Sequence, residues 1–239
     1  MRILICTQVV DKDDSHLGFF VRWLEEFAKH CEQVSVVCLR EGQHALPKNV
    51  SIYPLGKGKF FRALRLLRVS IRLRKQYSAV LVHMNPEYLV AAGWLWRLMQ
   101  KKVGLWYMHK HVDLKLRVGE LFAHIVFTGS RESFRLKTKK VHIVGHGIDT
   151  ELFTPDGTKR DDSVLSVGRL SASKRHDLIV RAAQYAPRTV WIAGDGPELA
   201  ALEALAQKLQ VAQRVHFLGG RTHAQLRELY RRSGVFAHT

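Results

Sequence analysis

Hydrophobic positions along the chain follow two alternating patterns. Short apolar, β-branched runs without period-2 alternation predict strands buried on both faces, and the segments between them carry apolar residues at helical spacing. Repetition of strand, helix and strand is typical of βαβ units in a mostly parallel, doubly wound sheet. The first half therefore predicts helices at Gly18–His30, Phe60–Gln76 and Glu87–Gln100. It predicts strands at Ile3–Val9, Val34–Leu39, Val50–Tyr53, Ala79–His83, Val103–Met108, Ile125–Phe127 and Val141–Val144.

One stretch interrupts this alternation and predicts a linker. Residues Gly145–Asp162, "GHGIDTELFTPDGTKRDD", contain three glycines, a proline and mixed charges. The pattern then resumes and ends on an apolar run, so we expect a second α/β unit that is incomplete at its last strand. The predicted strands of this unit are Val164–Val167, Thr189–Ala193, Arg214–Leu218 and Val235–Ala237. Its predicted helices are Lys174–Ala183, Pro197–Leu209 and Ala224–Arg232.

The composition restricts the partners of the protein. The 239 residues carry a formal net charge of +17, which favours nucleic acid, anionic membrane or phosphate-bearing substrates. No helix-turn-helix, zinc-finger or RNP motif occurs, which argues against specific nucleic-acid binding. Three cysteines without a C-x-x-C pair argue against a disulfide framework and a zinc site. No stretch has the secretory-signal pattern or the length of a membrane span, and we expect a cytoplasmic protein.

A basic amphipathic helix is predicted at Phe60–Gln76. One side of this helix carries cations at spacings of three and four, and another side carries apolar residues, namely Arg62, Arg65, Arg68, Arg72 and Lys75 against Phe60, Leu64, Leu67 and Ile71. Such a helix can lie on anionic lipid. Alternatively, its apolar side packs on the protein's own sheet and its arginines face water.

A cationic turn follows the strand Val164–Val167 in "VLSVGRLSASKRHDLIVRAA". Gly168 permits a tight turn at the strand end, Arg169 offers a rigid fork for phosphate oxygens, and Lys174 adds a mobile charge. Ligands of open α/β sheets bind at this edge, so the pattern predicts an anion site. The alternative is that both cations are solvated loop charges.

A second glycine-containing turn lies in "WIAGDGPEL". Gly194 and Gly196 separate a strand from a helix, and Pro197 suits the first helical position. The motif lacks the third spaced glycine of a dinucleotide fingerprint and does not predict a nicotinamide site. The glycines serve either substrate binding or turn geometry alone.

Five segments together resemble the family 4 retaining glycosyltransferases, which adopt the GT-B fold. They are "GHGIDTELFTP", "SVGRLSASKRHDLIVRA", "WIAGDGPELAALEALA", "RVHFLGG" and "AQLRELYRRSGVFA". The resemblance implies an α/β protein with two Rossmann-like, doubly wound parallel-sheet domains facing a cleft. It assigns 1–145 to an N-terminal acceptor-side domain, 146–162 to an interdomain linker, and 163–239 to a partial C-terminal nucleotide-sugar-binding domain.

The resemblance also implies an activity. The enzyme would move a sugar from a nucleotide-diphosphate sugar to a glycan or lipid-linked acceptor with retention, without a metal or another cofactor. Arg169 and Lys174 would neutralise the leaving diphosphate. The implied substrate-binding residues of this domain are Gly168, Gly194, Gly196, Leu218 and Gly219.

In the first domain, the resemblance points to the turn "DKDDSHLGFFVRW". Gly18 lies where the family has a glycine-rich loop that binds phosphate or sugar hydroxyls, and Asp14 or Ser15 alternatively serves as a helix N-cap. His109 matches a histidine that faces the donor sugar and would bind a hydroxyl or orient the acceptor. The alternatives are an ordinary loop histidine at this position, or His83 in the same role.

Family members have a Glu–seven residues–Glu motif after the strand matched by "GVFAHT", and the sequence stops before it. We therefore expect a fragment of an active transferase. The resemblance also implies cell-envelope glycan biosynthesis, by a cytoplasmic protein that is either free or peripheral on the inner face of the cytoplasmic membrane. The alternative is a catalytically silent, truncated or membrane-peripheral protein that binds anionic lipid through the basic helix.

Overall fold

The first half of the chain is organised around a parallel sheet. A computed structural model describes all residues from 1 to 239, and residues Met1–Ile148 form one unit of it. The unit has helices α1 (Phe19–His30), α2 (Lys59–Arg72), α3 (Glu87–Leu98) and α4 (Leu114–Phe122), and strands β1 (Arg2–Cys6), β2 (Val9–Val10), β3 (Gln33–Cys38), β4 (Arg40–Glu41), β5 (Val50–Pro54), β6 (Ala79–His83), β7 (Lys102–Trp106), β8 (Ile125–Thr128) and β9 (Val141–Ile143). Seven strands pair in the order β5-β3-β1-β6-β7-β8-β9, all parallel.

Both faces of this sheet are covered, which explains why its strands are apolar without alternation. In β1, Leu4 and Cys6 pack into a cluster with side chains of α2, α3 and α4. The intervening Ile3 and Ile5 pack into a second cluster with side chains of α1. One strand therefore supplies two hydrophobic cores, one on each face of the sheet.

Residues Asp149–Thr239 form the second unit. Its four-stranded parallel sheet has the order β12-β11-β10-β13. The elements are β10 (Val164–Val167), a 3-10 turn (Ala172–Lys174), α5 (His176–Ala182), β11 (Val190–Ala193), α6 (Leu199–Lys208), β12 (Val215–Gly219), α7 (His223–Arg232) and β13 (Val235–Phe236). Residues before β10 are tied to this unit, because Arg231 of α7 donates to the Thr154 carbonyl and pairs with Asp156 at 2.7 Å. The predicted linker limits of 146 and 162 stay a prediction.

Three sequence predictions about single elements were wrong. The strand predicted at Ile3–Val9 is two strands, because β2 leaves the main sheet and pairs with β4. The helix predicted from Lys174 begins at His176, since Arg175 adopts a left-handed conformation with φ of 47° that separates it from the 3-10 turn. Helix α4 was not predicted; Asp113 caps it by accepting a hydrogen bond from the Leu116 N–H at 2.8 Å.

The orientation of α2 also differs from the prediction. The helix ends at Arg72 rather than Gln76, and its buried residues are Leu66 and Ser70. Of the predicted apolar side, only Leu67 packs against the core, whereas Phe60, Leu64 and Ile71 are exposed. Neither predicted side of this helix is therefore its inner side.

A buried hydrogen bond joins α2 to α3. The indole N–H of Trp96, a fully buried residue, donates to the Ser70 hydroxyl at 3.0 Å, and the Tyr77 hydroxyl donates to the Ser70 carbonyl at 3.0 Å. Because Ser70 is also buried, this bond satisfies polar atoms that water cannot reach.

None of the seven helices has the length and apolar character needed to cross a bilayer.

His83 at the end of β6 lies in the core next to α1. The side chain is 2% exposed and stacks on Phe20 with ring centroids 4.3 Å apart. Its Nδ1 lies 3.3 Å from the Thr7 hydroxyl. Burial, with a smaller contribution from His146, lowers the pKa of His83 from 6.5 to about 4. His83 is therefore neutral at physiological pH.

We expect the free energy of unfolding to fall as the pH decreases from 6.5 to 4. In this interval the unfolded chain binds a proton at residue 83 and the folded chain does not, so protonation favours unfolding. Between pH 7 and 5, His83 alone contributes a loss of about 2 kcal/mol. Urea unfolding of wild type and His83→Gln at both pH values measures it. The free energy of unfolding should depend less on pH in His83→Gln than in wild type. His142→Gln, which replaces an exposed histidine, should keep the wild-type dependence. Equal pH profiles for His83→Gln and wild type would contradict the assignment.

Candidate functional site

The loop after β10 holds Arg169 at the carboxyl edge of the second unit's sheet. On one side of it, the Gly168 N–H donates to the Ala193 carbonyl at 3.0 Å. On the other side, the Leu170 N–H donates to the Asp195 carbonyl at 2.9 Å, and the Leu170 side chain is completely buried. Arg169 itself is exposed. The loop therefore presents one cationic side chain from a backbone that is anchored on both sides.

Two glycines of the neighbouring loop make this anchoring feasible. A Cβ atom on residue 194 would lie 1.9 Å from the Gly168 carbonyl oxygen, and one on residue 196 would lie 2.1 Å from the Leu170 carbonyl oxygen. Gly194 also has a φ of 151°, which side chains disfavour. Close packing of two backbones thus requires glycine at both positions. Their predicted role in substrate binding stays a prediction.

Lys174 lies beside the start of the same loop. Its Cδ atom is 3.8 Å from the point that a Cβ on residue 168 would occupy, so its aliphatic stem packs near Gly168. The side chain of Lys174 is partly buried, and the Thr239 hydroxyl donates to its carbonyl at 2.6 Å. The structure therefore brings Lys174 and the Arg169 loop together at one strand end, as the sequence predicted.

A buried histidine under this loop was missed by the sequence analysis. Nδ1 of His176 lies 3.2 Å from the Ser166 hydroxyl, and its buried Nε2 has no hydrogen-bond partner. That nitrogen is 3.5 Å from the Cβ position of residue 168. Burial lowers the pKa of His176, which favours the neutral ring. No sequence signal distinguishes it from the other twelve histidines of the chain.

The end of β12 completes this edge. Gly219 adopts a φ of 71°, and its carbonyl accepts a hydrogen bond from the Gly194 N–H at 2.9 Å. Leu218 precedes it and is partly buried. The ends of three adjacent strands thus meet through glycine backbone, with two cations on one side. Backbone polar groups and positive charge at a sheet edge suit an anionic ligand such as a diphosphate.

In the first unit, Gly18 lies buried in a turn that leaves no room for a side chain. A Cβ at this position would lie 2.6 Å from the Asp14 carbonyl oxygen and 2.7 Å from that of Lys12. The predicted N-cap role of Asp14 or Ser15 was wrong: α1 begins at Phe19, directly after Gly18, without a side-chain cap.

Asp14 stabilises the preceding turn instead. Its carboxylate accepts hydrogen bonds from the His16 and Leu17 N–H groups at 2.9 and 2.8 Å and pairs with Arg40. Burial opposes ionisation, but these N–H groups and Arg40 outweigh it and lower the pKa of Asp14. Arg40 also pairs with Asp11 at 3.1 Å. The carboxylates of Asp11 and Asp14 thus share one cation, Arg40 of β4.

The two candidate histidines of this unit differ in exposure. His109 is exposed, and its Nδ1 accepts a hydrogen bond from the His111 N–H at 3.0 Å. Its backbone pairs with Phe134, which joins the loops after β7 and β8. His83, the alternative, is buried as described. No group of three or more His, Cys, Asp or Glu side chains is arranged to hold a metal ion.

Sequence analysis also missed an aromatic cluster at the carboxyl edge of the first sheet. The rings of Trp23 and Trp106 meet edge to face with centroids 5.0 Å apart. The ring centroids of Phe19 and His146 lie within 6.2 Å of each other and of the neighbouring rings in this cluster. Over 120 residues separate its members along the chain, and only the tertiary fold brings them together.

Comparison with known proteins finds a family model that matches the second unit. Residues 149–239 match the family model "Glycosyl transferases group 1". A D-inositol 3-phosphate glycosyltransferase of Mycobacteroides abscessus is 34% identical over 114 residues, covering 41% of this chain and 26% of that protein. The gpi3 subunit of a phosphatidylinositol N-acetylglucosaminyltransferase of Schizosaccharomyces pombe is 31% identical over 111 residues, covering 43% and 24%. The matched segment thus spans about a quarter of the length of these curated relatives.

A solved structure resembles the whole chain. The Anabaena protein HepE, in complex with UDP and glucose, matches with a TM-score of 0.78 at 17% identity, over 100% of this chain and 74% of that one. At this identity the likeness shows the fold and not the activity. The chain therefore has the α/β fold of the GT-B glycosyltransferases, as predicted, and its residues 149–239 match the glycosyl transferases group 1 model.

Proposed function

We propose that the protein is a retaining glycosyltransferase that moves a sugar from a nucleotide-diphosphate sugar to an acceptor. One observation carries the proposal: within a glycosyl transferases group 1 domain, exposed Arg169 projects from an anchored loop beside Lys174. Cations at this strand edge suit the diphosphate of the donor. The group 1 match and the GT-B fold support the same reaction class.

In the proposed reaction, negative charge develops on the diphosphate as the bond between sugar and phosphate breaks. Arg169 can donate two parallel hydrogen bonds to phosphate oxygens, and Lys174 adds a second positive charge. These side chains perform the electrostatic work that a divalent cation performs in other transferases, and the proposed reaction needs no metal. Backbone groups near Gly168, Gly194, Gly196, Leu218 and Gly219 would contact the nucleotide.

The first unit has a proposed role in positioning the transferred sugar or the acceptor. His109 is exposed and supplies an imidazole that can bond a sugar hydroxyl. Gly18 directly precedes α1, and its proposed role is to let the backbone of this turn approach the sugar or the acceptor closely, because the Phe20 and Val21 N–H groups already donate to the Leu17 and Gly18 carbonyls. The name of the S. pombe relative includes phosphatidylinositol, which supports a lipid-linked acceptor over a free glycan.

We further propose a peripheral location on the inner face of the cytoplasmic membrane, in contact through the Phe60–Gln76 segment. The exposure of Phe60 and Phe61 supports this location, because large apolar side chains seldom face water together. Three buried, free cysteines suit a reducing compartment. The net charge of +17 suits an anionic surface.

Replacing either cation should weaken nucleotide binding without unfolding the protein. For Arg169→Ala and Lys174→Ala we expect about 10- to 100-fold weaker binding of a nucleoside diphosphate, the effect of losing a charge-assisted hydrogen bond. Calorimetric titration with UDP, GDP, ADP and CDP measures this. Arg188→Ala removes an arginine that pairs with Asp162 and serves as the control. Unchanged affinity in both variants would refute the donor site.

A glycine variant separates loop support from ligand contact. Gly196→Ala places a Cβ 2.1 Å from the Leu170 carbonyl oxygen, and we expect it to lower the free energy of unfolding by about 1–3 kcal/mol. Arg169→Ala should leave it within about 0.5 kcal/mol of wild type. Gly147→Ala, where the new Cβ meets nothing within 4 Å, is the control. Equal stability of Gly196→Ala and Gly147→Ala in urea would show that the loops do not depend on this contact.

Transfer should persist after removal of divalent cations. We expect EDTA to leave the rate of sugar transfer from the nucleotide sugar unchanged, because Arg169 and Lys174 supply the positive charge. The anomeric configuration of the product, read by NMR, should equal that of the donor sugar. Loss of transfer with EDTA and its recovery with Mg²⁺ would disprove metal independence, and an inverted product would disprove retention.

A further inference from the structure

The outer side of α2 is apolar as well as basic. Phe60 and Phe61 are 71% and 61% exposed, and their rings lie 5.9 Å apart. Leu64 and Ile71 are exposed further along the helix. The inner side is formed by other residues, so these four side chains are not part of the core. They span about three turns of helix and leave a large part of their apolar surface exposed.

Helix α3 continues this apolar exposure. Trp94 and Leu98 are 48% and 75% exposed, one turn apart, and Val90 is exposed one turn earlier. The inner side of α3 is also apolar, with Leu89, Ala92 and Trp96 buried. Helix α3 is thus apolar on both sides, which is unusual for a helix that has only water on the outer side.

The two outer sides belong to neighbouring helices. Both helices cover the same face of the parallel sheet and precede neighbouring strands of it, so they run in the same direction. The hydrogen bond from Trp96 to Ser70 fixes their register. Trp94 and Leu98 lie within one turn of Trp96, and Leu64 and Ile71 lie within two turns of Ser70. We call these residues, with Phe60, Phe61 and Val90, the α2–α3 outer surface.

Charge around this surface is almost entirely positive. Between residues 42 and 112 the sequence has 13 lysines and arginines and one acid, Glu87, which pairs with Lys115 of α4. Arg62 and Arg65 bond the carbonyls of Gly56 and Leu55. The exposed cations on the two helices and just beyond them include Arg68, Arg72, Lys75 and Arg97.

We infer that the α2–α3 outer surface, rather than α2 alone, rests on an anionic lipid bilayer, with Trp94 of α3 at the level of the headgroups. The inference rests on the proposed peripheral membrane location and extends it to a second helix. Tryptophan is enriched at the boundary between headgroups and acyl chains. The indole N–H of Trp94 donates to the Ala91 carbonyl at 3.1 Å, so the ring can lie at this boundary with its polar atom satisfied. Phenylalanine and leucine enter the acyl region, and the cations pair with lipid phosphates.

Charge complementarity favours lipid over a protein partner. A protein that covered this surface would need a patch that is both apolar and strongly acidic, whereas an anionic bilayer has both properties at every point. The aromatic and aliphatic side chains are spread over two parallel helices. This arrangement suits a planar partner that contacts both helices at once.

Vesicle flotation with the full chain tests the inference. Wild type should bind phosphatidylglycerol vesicles and not phosphatidylcholine vesicles at low salt. We expect Phe60→Ala/Phe61→Ala in α2 and Trp94→Ala/Leu98→Ala in α3 each to weaken partitioning by roughly tenfold or more. Arg68→Glu/Lys75→Glu should weaken it in a salt-dependent manner. Tyr185→Ala, which removes an exposed aromatic residue of the second unit, and Lys137→Glu/Lys139→Glu, which reverses two exposed charges, should bind as wild type does.

Each alternative result overturns a defined part of the inference. If the α2 variant loses binding and the α3 variant does not, the peripheral location stands and the second helix has no part in it. If wild type ignores anionic vesicles, both membrane proposals fail, while UDP titration still tests the donor site independently. If light scattering finds a dimer that Trp94→Ala/Leu98→Ala abolishes, a second copy of the chain is the partner. Circular dichroism and melting curves establish that every variant is folded.

Discussion

Two carbonyl oxygens, those of Gly168 and Leu170, occupy the space in which side chains of residues 194 and 196 would begin. This contact brings the loops after β10 and β11 together backbone to backbone. Leu170 can then be buried while Arg169 remains outside, because the chain on either side of Arg169 is hydrogen-bonded to the neighbouring loop. The backbone that carries this cation loses little further freedom when an anion binds, which reduces the entropy cost of binding. The proposed chemistry of the second unit depends on this packing.

Much of the fold could be predicted from the sequence, because its strands are buried on both faces and carry strong apolar runs. Strands β6 and β10 were predicted to the residue. The errors lie in segments whose conformation depends on contacts with residues that are distant in the sequence. Val9 leaves the main sheet because it pairs with a strand thirty residues away, and Arg175 takes a left-handed conformation that is common for glycine and rare for arginine. Helix α4 is short and weakly amphipathic, which left little pattern to detect.

The sequence predicted which residue types lie at the candidate site, but not why the fold needs them there. Glycine and arginine at strand ends predicted a site at the carboxyl edge of the second sheet, where the structure places them, but the sequence did not reveal that Gly194 and Gly196 make room for another loop. His176 and the Trp23–Trp106 pair were missed, since nothing local marks them. On α2, the pattern of arginines suggested one cationic side. Two of them, Arg62 and Arg65, instead donate to backbone carbonyls, and apolar residues of the same helix are exposed.

The shared direction of α2 and α3 has a consequence for orientation. Helices in βαβ units run roughly antiparallel to the strands that they cover. If both helices lie flat on a bilayer, the strands of the first sheet also lie roughly parallel to the membrane plane, and their carboxyl edge opens sideways along it. A lipid-linked molecule that diffuses within the bilayer would then approach that edge by two-dimensional search, without leaving the membrane. The buried hydrogen bond between Trp96 and Ser70 would help to keep this alignment, because sliding of the two helices would leave its polar atoms without a partner.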